Sequence, residues 1–194
     1  MSYTDPSTLK VYLGIDVSDD DPLLINCINE AQKAIETKCQ RVFEASADTT
    51  RYFDPLEDSD DYRELFFDED CCAITTVLNG DGVTLTGSDY VTNPRNFKPY
   101  YSIQLKLTAS EYLAYNSSPE NAIAITGRWA YSVTAPADIQ HACTRLAAWF
   151  YRQRDTSNDG SDRPILTNSG AVVIPSKLPA DVIDLISPYM RKQP

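Results

Sequence analysis

The sequence predicts an α+β fold in which a small helical bundle is interrupted by an antiparallel β subdomain. Three observations predict it. Apolar residues recur at helical spacing in Leu24, Ile28, Ala31 and Ile35, and again after Pro136 in Ile139, Ala142, Cys143, Leu146, Ala147 and Phe150. Between them, after Phe43, the texture changes to short runs rich in β-branched and aromatic residues, cut by Gly, Asn, Asp and Pro. The chain has 194 residues, 42% hydrophobic and 23% charged, which suffices for one domain whose core needs neither metal nor disulfide support.

Each element follows from local chemistry. In "YTDPSTLKVYLGI", Asp5 offers a cap, Pro6 fits the first helical position and Gly14 supplies a stop, predicting a helix near 5–13. In "SDDDPLLINCINEAQKAIETKC" the signal repeats at Asp21 and Pro22, predicting a helix over 21–39. The runs "TTRYFDP", "RELFFD", "AITTVLN", "GVTLTGSDYV", "YSIQLKL" and "AIAITG" predict an antiparallel region over roughly 49–127, with a tight turn at "NGDG", 79–82. Thr134 and Pro136 then open a helix over 136–154. The polar stretch 155–163 reads as an exposed loop, "PILTNSGAVVIP" as a small hairpin or an extended arm, and Pro179 starts a last helix over 179–187. The whole is one domain, 1–194, with a helical part (1–45 plus 135–194) and a β subdomain (46–134) between the second and third helices.

Composition narrows the function. Seventeen basic against 28 acidic residues give a formal charge of −11, a poor balance for gripping nucleic acid, whose affinity comes largely from neutralising phosphates. The five cysteines, Cys27, Cys39, Cys71, Cys72 and Cys143, contain no C-x-x-C pair and fit reduced thiols in a cytosolic setting. No apolar run approaches ~20 residues and "MSYTDPSTLK" lacks a signal-peptide layout, so a soluble protein without membrane contact is expected.

Catalytic constellations are poorly supplied. His141 is the sole histidine, about 200° of helical rotation from Ile139, which turns it away from the apolar stripe. The acidic segment "DPLEDSDDYRELFFDED", 54–70, has nine carboxylates and one compensating Arg63. Counted from Asp58, Tyr62 and Arg63 occupy the fifth and sixth positions, which breaks a calcium-loop pattern and leaves a solvated acidic loop. Carboxylate pairs suited to glycoside hydrolysis are present, but sequence spacing selects none. Phosphate-cradling glycine motifs and a nucleophile elbow are absent. Asp68, Glu69 and Asp70 beside Cys71 and Cys72 disfavour a thiolate. No catalytic, cofactor-binding or metal residue is therefore expected, and no cofactor.

Four stretches, taken in order, resemble the head–tail connector, or adaptor, proteins of tailed bacteriophages: "LKVYLGIDVSDDDPLLINCINEAQKAIETKCQRVF", "GSDYVTNP", "ITGRWAYSVTAPADIQHACTRLAAWFYRQR" and "LPADVIDLISPYMRK". The resemblance covers nearly the whole chain. It implies a non-enzymatic virion protein at the head–tail interface, made in the host cytoplasm. It further implies a homo-oligomeric ring, usually of twelve copies, docked beneath the portal protein. Such a ring extends the channel through which DNA passes without specific binding during genome packaging and ejection, and offers a docking surface to a stopper or tail-completion protein. The helical part would pack around the channel, and the C-terminal segment would reach toward the portal. Tyr189, Met190, Arg191 and Lys192 are the portal-contact candidates. The acidic stretch 54–70 and the elaborate β region depart from compact members of the family.

The junction "AIAITGRWAYSVTAPADIQHA" supplies a second candidate set: Gly127, Trp129, Tyr131, Pro136 and Asp138. Gly127 is expected to allow a backbone turn, and Trp129 and Tyr131 share strand parity, so an extended segment would aim both at one side as a wedge. Segments 155–178 and 188–194 have little core of their own and are expected to order on assembly. Two other readings stand beside it: a tail-terminator or neck protein contacting the tail tube, from a related structural class, and a carbohydrate-binding or hydrolytic β module, motivated by the strands and spare carboxylates.

Overall fold

The computed structural model describes residues 2–16, 18, 20–157, 165–166, 172–173 and 178–191. The chain is α+β, with four α-helices and two four-stranded antiparallel sheets among the described residues. It divides into two compact units: a β unit, 41–135, and a helical unit built from 2–40 and 136–194.

In the helical unit, α1 (Pro6–Leu13) starts where Asp5 accepts the Thr8 N–H at 2.9 Å and ends at Gly14, whose φ of 72° is the left-handed cap that glycine adopts without penalty. α2 (Asp21–Cys39) spans the range expected from its sequence, with the cap position one residue before Asp21. Asp20 occupies the cap position, but its carboxylate accepts the Tyr151 hydroxyl, while Asp21 pairs with Lys10. α3 (Ala137–Ser157) opens with the Pro136 carbonyl accepting the Gln140 N–H at 3.0 Å, so Pro136 lies just before the helix. α4 (Ala180–Ile186) runs into a 3-10 turn, Ser187–Tyr189. Leu24, Ile28, Ala31 and Ile35 of α2 are buried with Ile139, Ala142, Cys143, Leu146 and Ala147 of α3 and with Val182 and Ile186 of α4. α3 packs against α1, α2 and α4. Each large side chain in this core contributes about 1.5–3 kcal/mol relative to exposure.

In the β unit, one sheet has the order β1-β8-β4-β5, from β1 (Thr49–Phe53), β8 (Ile123–Arg128), β4 (Ala73–Leu78) and β5 (Thr84–Leu85). The other has the order β2-β3-β7-β6, from β2 (Ser59–Asp60), β3 (Glu64–Cys71), β7 (Tyr100–Leu105) and β6 (Tyr90–Asn93). Phe53, Val77, Leu85, Ile123 and Ile125 from the first sheet meet Leu65, Phe67, Cys71, Ile103 and Leu105 from the second in one cluster. Alternation along β8 is the period-2 pattern that makes this possible, with Ile123, Ile125 and Gly127 buried and the residues between them half-buried.

Two local expectations change. The "NGDG" turn joins β4 to β5 as a five-residue loop in which Gly82 alone takes positive φ, at 90°. Asn79 is instead buried: its amide donates to the Tyr112 carbonyl and its carbonyl accepts the Ala114 N–H, pinning a loop far along the chain. The acidic segment 54–70 is not all loop, because Glu64–Cys71 is β3, whose Leu65 and Phe67 enter the core. Beyond α3, Ile165–Leu166 (β9) pairs antiparallel with Val172–Val173 (β10), the hairpin of the two alternatives. The remaining residues between 158 and 177 lie outside the described set, as do 192–194, so the expected ordering of 155–178 and 188–194 falls largely there.

Candidate interaction surfaces

The groups that could support chemistry are dispersed. His141 is exposed on α3. All five cysteines are buried thiols outside any disulfide. Burial pushes the Cys71 and Cys143 thiols up to about 12, and it raises Cys72 as well. Desolvation, more than neighbouring carboxylates, therefore suppresses the thiolates. Among the described residues no three His, Cys, Asp or Glu side chains converge as a metal site, and no helix is long and apolar enough to cross a membrane.

The acidic segment is compensated from outside itself. Arg41 pairs with the buried Asp70 at 3.0 Å, and Arg51 with Glu69 at 2.6 Å. Arg63 instead donates to the Lys106 carbonyl and lies 4.6 Å from the centre of the Tyr112 ring. Glu64 accepts hydrogen bonds from Ser102 and Asn93 on the face of its sheet opposite the core. Glu57, Asp60 and Asp61 make no ion pair among the described residues.

The junction residues separate into distinct roles. Gly127 lies within β8, not at a turn, and a Cβ there would stand 2.2 Å from the Ala73 carbonyl oxygen of β4. Glycine is required by this close approach, opposite a register irregularity between Ile74 and Thr76. β8 ends at Arg128, so the parity argument does not extend to the aromatics beyond it. Trp129 joins the β core, 5.7 Å from Phe53 and 5.2 Å from Phe67 between ring centres, with its indole N–H donating to the Thr49 carbonyl at 3.0 Å. Tyr131 packs instead on Phe43 at 5.8 Å, beneath the Arg41 guanidinium. The two rings do not form one wedge. Pro136 and Asp138 belong to the helical unit, where Asp138 accepts the Tyr189 hydroxyl at 3.1 Å.

That bond bears on the C-terminal candidates. Tyr189 is half-buried, Met190 N–H donates to the Ser187 carbonyl, and Arg191 N–H donates to the Cys39 carbonyl at 3.0 Å. Through Arg191 this stretch is tied back onto the end of α2; Lys192 lies outside the described residues.

Two surfaces carry no sequence motif. The outer face of the first sheet presents Thr50, Tyr52, Thr76, Leu78, Ala124 and Thr126, with no charge among them and Tyr52 60% exposed. Its residues alternate with the core set, a signal present in the strand pattern but legible only once register is known. At the β6–β7 connection, Arg95, Asn96, Phe97 and Lys98 form an exposed tip, Phe97 being 68% exposed. The Lys98 ammonium lies 5.9 Å from the centre of the Tyr100 ring, and Arg95 has no carboxylate partner among the described residues. This is a cationic projection from a unit holding 15 of the 28 acidic residues and only 7 of the 17 basic ones.

No protein-family model matches the chain, and no curated protein matches its sequence. Solved structures do share its fold. A chain from the neck of an empty gene transfer agent (GTA) particle, computed with C6 symmetry, is 14% identical with a TM-score of 0.58, covering 96% of this chain and 89% of its own. A chain from the neck of the native GTA particle, computed with C12 symmetry, is 14% identical with a TM-score of 0.54, covering 96% and 88%. A chain of the native GTA virion is 15% identical with a TM-score of 0.58, covering 96% and 89%. Over nearly its whole length, then, this chain has the fold of chains found in the necks and virion of GTA particles.

Proposed function

We propose that this protein is a structural connector subunit that forms a homo-oligomeric ring in the neck of a phage-like particle. The ring sits beneath a portal, extends the DNA channel and presents a surface to the next neck or tail protein. The observation that carries the reading is the fold shared along 96% of the chain with neck chains of particles treated with sixfold and twelvefold symmetry. The side chains agree with it. Among the described residues, thiols are buried, the single histidine is exposed, and the solvent-facing features include apolar and charged patches suited to association. The charge of −11 also fits a channel wall, because a surface that repels phosphate lets a duplex slide where a cationic one would hold it.

Purified chain mixed with portal rings is expected to co-sediment with them, to ignore tail-tube protein, and to pass through a duplex-DNA column at physiological salt. Retention by tail tube but not portal would support a tail-terminator role instead. Retention on DNA would contradict the sliding-channel account.

A further inference from the structure

The β2-β3-β7-β6 sheet carries two elements of opposite charge that cannot meet within one copy. β2 and the β2–β3 turn form one edge, where Glu57, Asp60 and Asp61 have no ion pair among the described residues; Leu56 is 47% and Tyr62 42% exposed beside them. β6 forms the other edge, and the cationic tip Arg95–Lys98, bearing the exposed Phe97, follows it. They also lie at opposite ends of the strands. The acidic turn adjoins Glu64, which pairs with Gln104, whereas the tip lies between Asn93 and Tyr100, which pair with Ser102 and Cys71. Two to three inter-strand spacings alone amount to about 10–14 Å, beyond the ~8 Å over which exposed charges act at physiological ionic strength. Each element is therefore left without its complement among the described residues.

We propose that the cationic tip of one copy docks on the acidic edge of the next copy, with Phe97 seated against Leu56 and Tyr62 and with Arg95 and Lys98 facing Glu57, Asp60 and Asp61. This contact rests on the ring reading and names its subunit interface. Complementary patches at different places on the same unit make a head-to-tail interface, the type that closes into a ring when its rotation divides a full turn. It answers the difficulty of packing copies that each carry −11, because the contact brings unlike charges together around an aromatic anchor.

The test compares three full-length proteins by mass photometry across a concentration series: wild type, R95E/K98E and D60K/D61K. All altered positions are exposed, and circular dichroism melting checks that each variant folds. Wild type is expected to assemble, with an assembly midpoint that rises as salt is added. Each variant alone should need at least about tenfold more protein. Mixing the two variants should restore assembly, because each mutant tip then faces a mutant edge of opposite charge and each native tip a native edge. Wild-type-like assembly by either folded variant, or a mixture that fails to recover, would overturn the contact while leaving the ring reading standing. A wild type that remains monomeric at every concentration would overturn both. Variants that assemble normally but lose weak binding to duplex DNA would reassign the tip to phosphate and overturn the proposal.

Discussion

Trp129 illustrates how a residue can be conspicuous in sequence and yet have its role decided by distant partners. Its ring lies among Phe53 and Phe67 and its indole N–H reaches the Thr49 carbonyl, all more than sixty residues away in the chain. Trp129→Ala should lower stability by about 3–5 kcal/mol, read as a shifted urea midpoint; an unchanged midpoint would contradict its place in the core. Gly127→Ala should cost about 1–3 kcal/mol, since the new Cβ meets a strand carbonyl that cannot swing away. Sequence singled out both positions and assigned Gly127 to a turn. The reason for the glycine lies in the neighbouring strand, and no local pattern records it. Tyr131 shows the limit of parity reasoning, which ends where the strand ends.

At the scale of elements, helices were the more legible part, because their signals are local. Leu24, Ile28, Ala31 and Ile35 lie within twelve residues of one another, and Asp5, Pro6 and Gly14 bracket α1 within ten. Strand existence was legible from β-branched runs, while pairing was not. β8 bonds both β1, at least seventy residues before it, and β4, and nothing in "AIAITG" specifies those partners. The cationic tip was missed for a related reason: Arg95 and Lys98 are unremarkable until the strands around them place them on an edge opposite the acids. The cap of α1 makes a pH prediction. Hydrogen bonds from Ser7, and then from Thr8, hold the Asp5 carboxyl down at about 2, below the ordinary ~3.9. A depressed carboxyl stabilises the fold above the unfolded value and loses that contribution as pH falls through the folded one. Wild type should therefore lose stability between about pH 4 and pH 2 relative to Asp5→Asn, which keeps a capping oxygen but does not titrate. Parallel acid-titration curves for the two proteins would contradict the cap.

For the whole molecule, the two units carry different surface chemistry. The β unit carries most of the acid, a sheet face presenting Thr, Tyr, Leu and Ala side chains, and a cationic tip, and the helical unit ties its C-terminal turn to the end of α2 through Arg191 and to α3 through Tyr189 and Asp138. The sequence marks Tyr189, Met190, Arg191 and Lys192 as portal-contact candidates, a residue mix that interfaces favour; the intramolecular bonds of the first three mean that any portal contact would engage this segment in place, or would first have to break those bonds. Electron microscopy of the purified chain, alone and mixed with portal, tests the central claim most directly. The account predicts closed rings of sixfold or twelvefold symmetry, stacked coaxially on the portal where portal is present. A chain that stays monomeric in both preparations, or that forms only open filaments and never caps the portal, would contradict it.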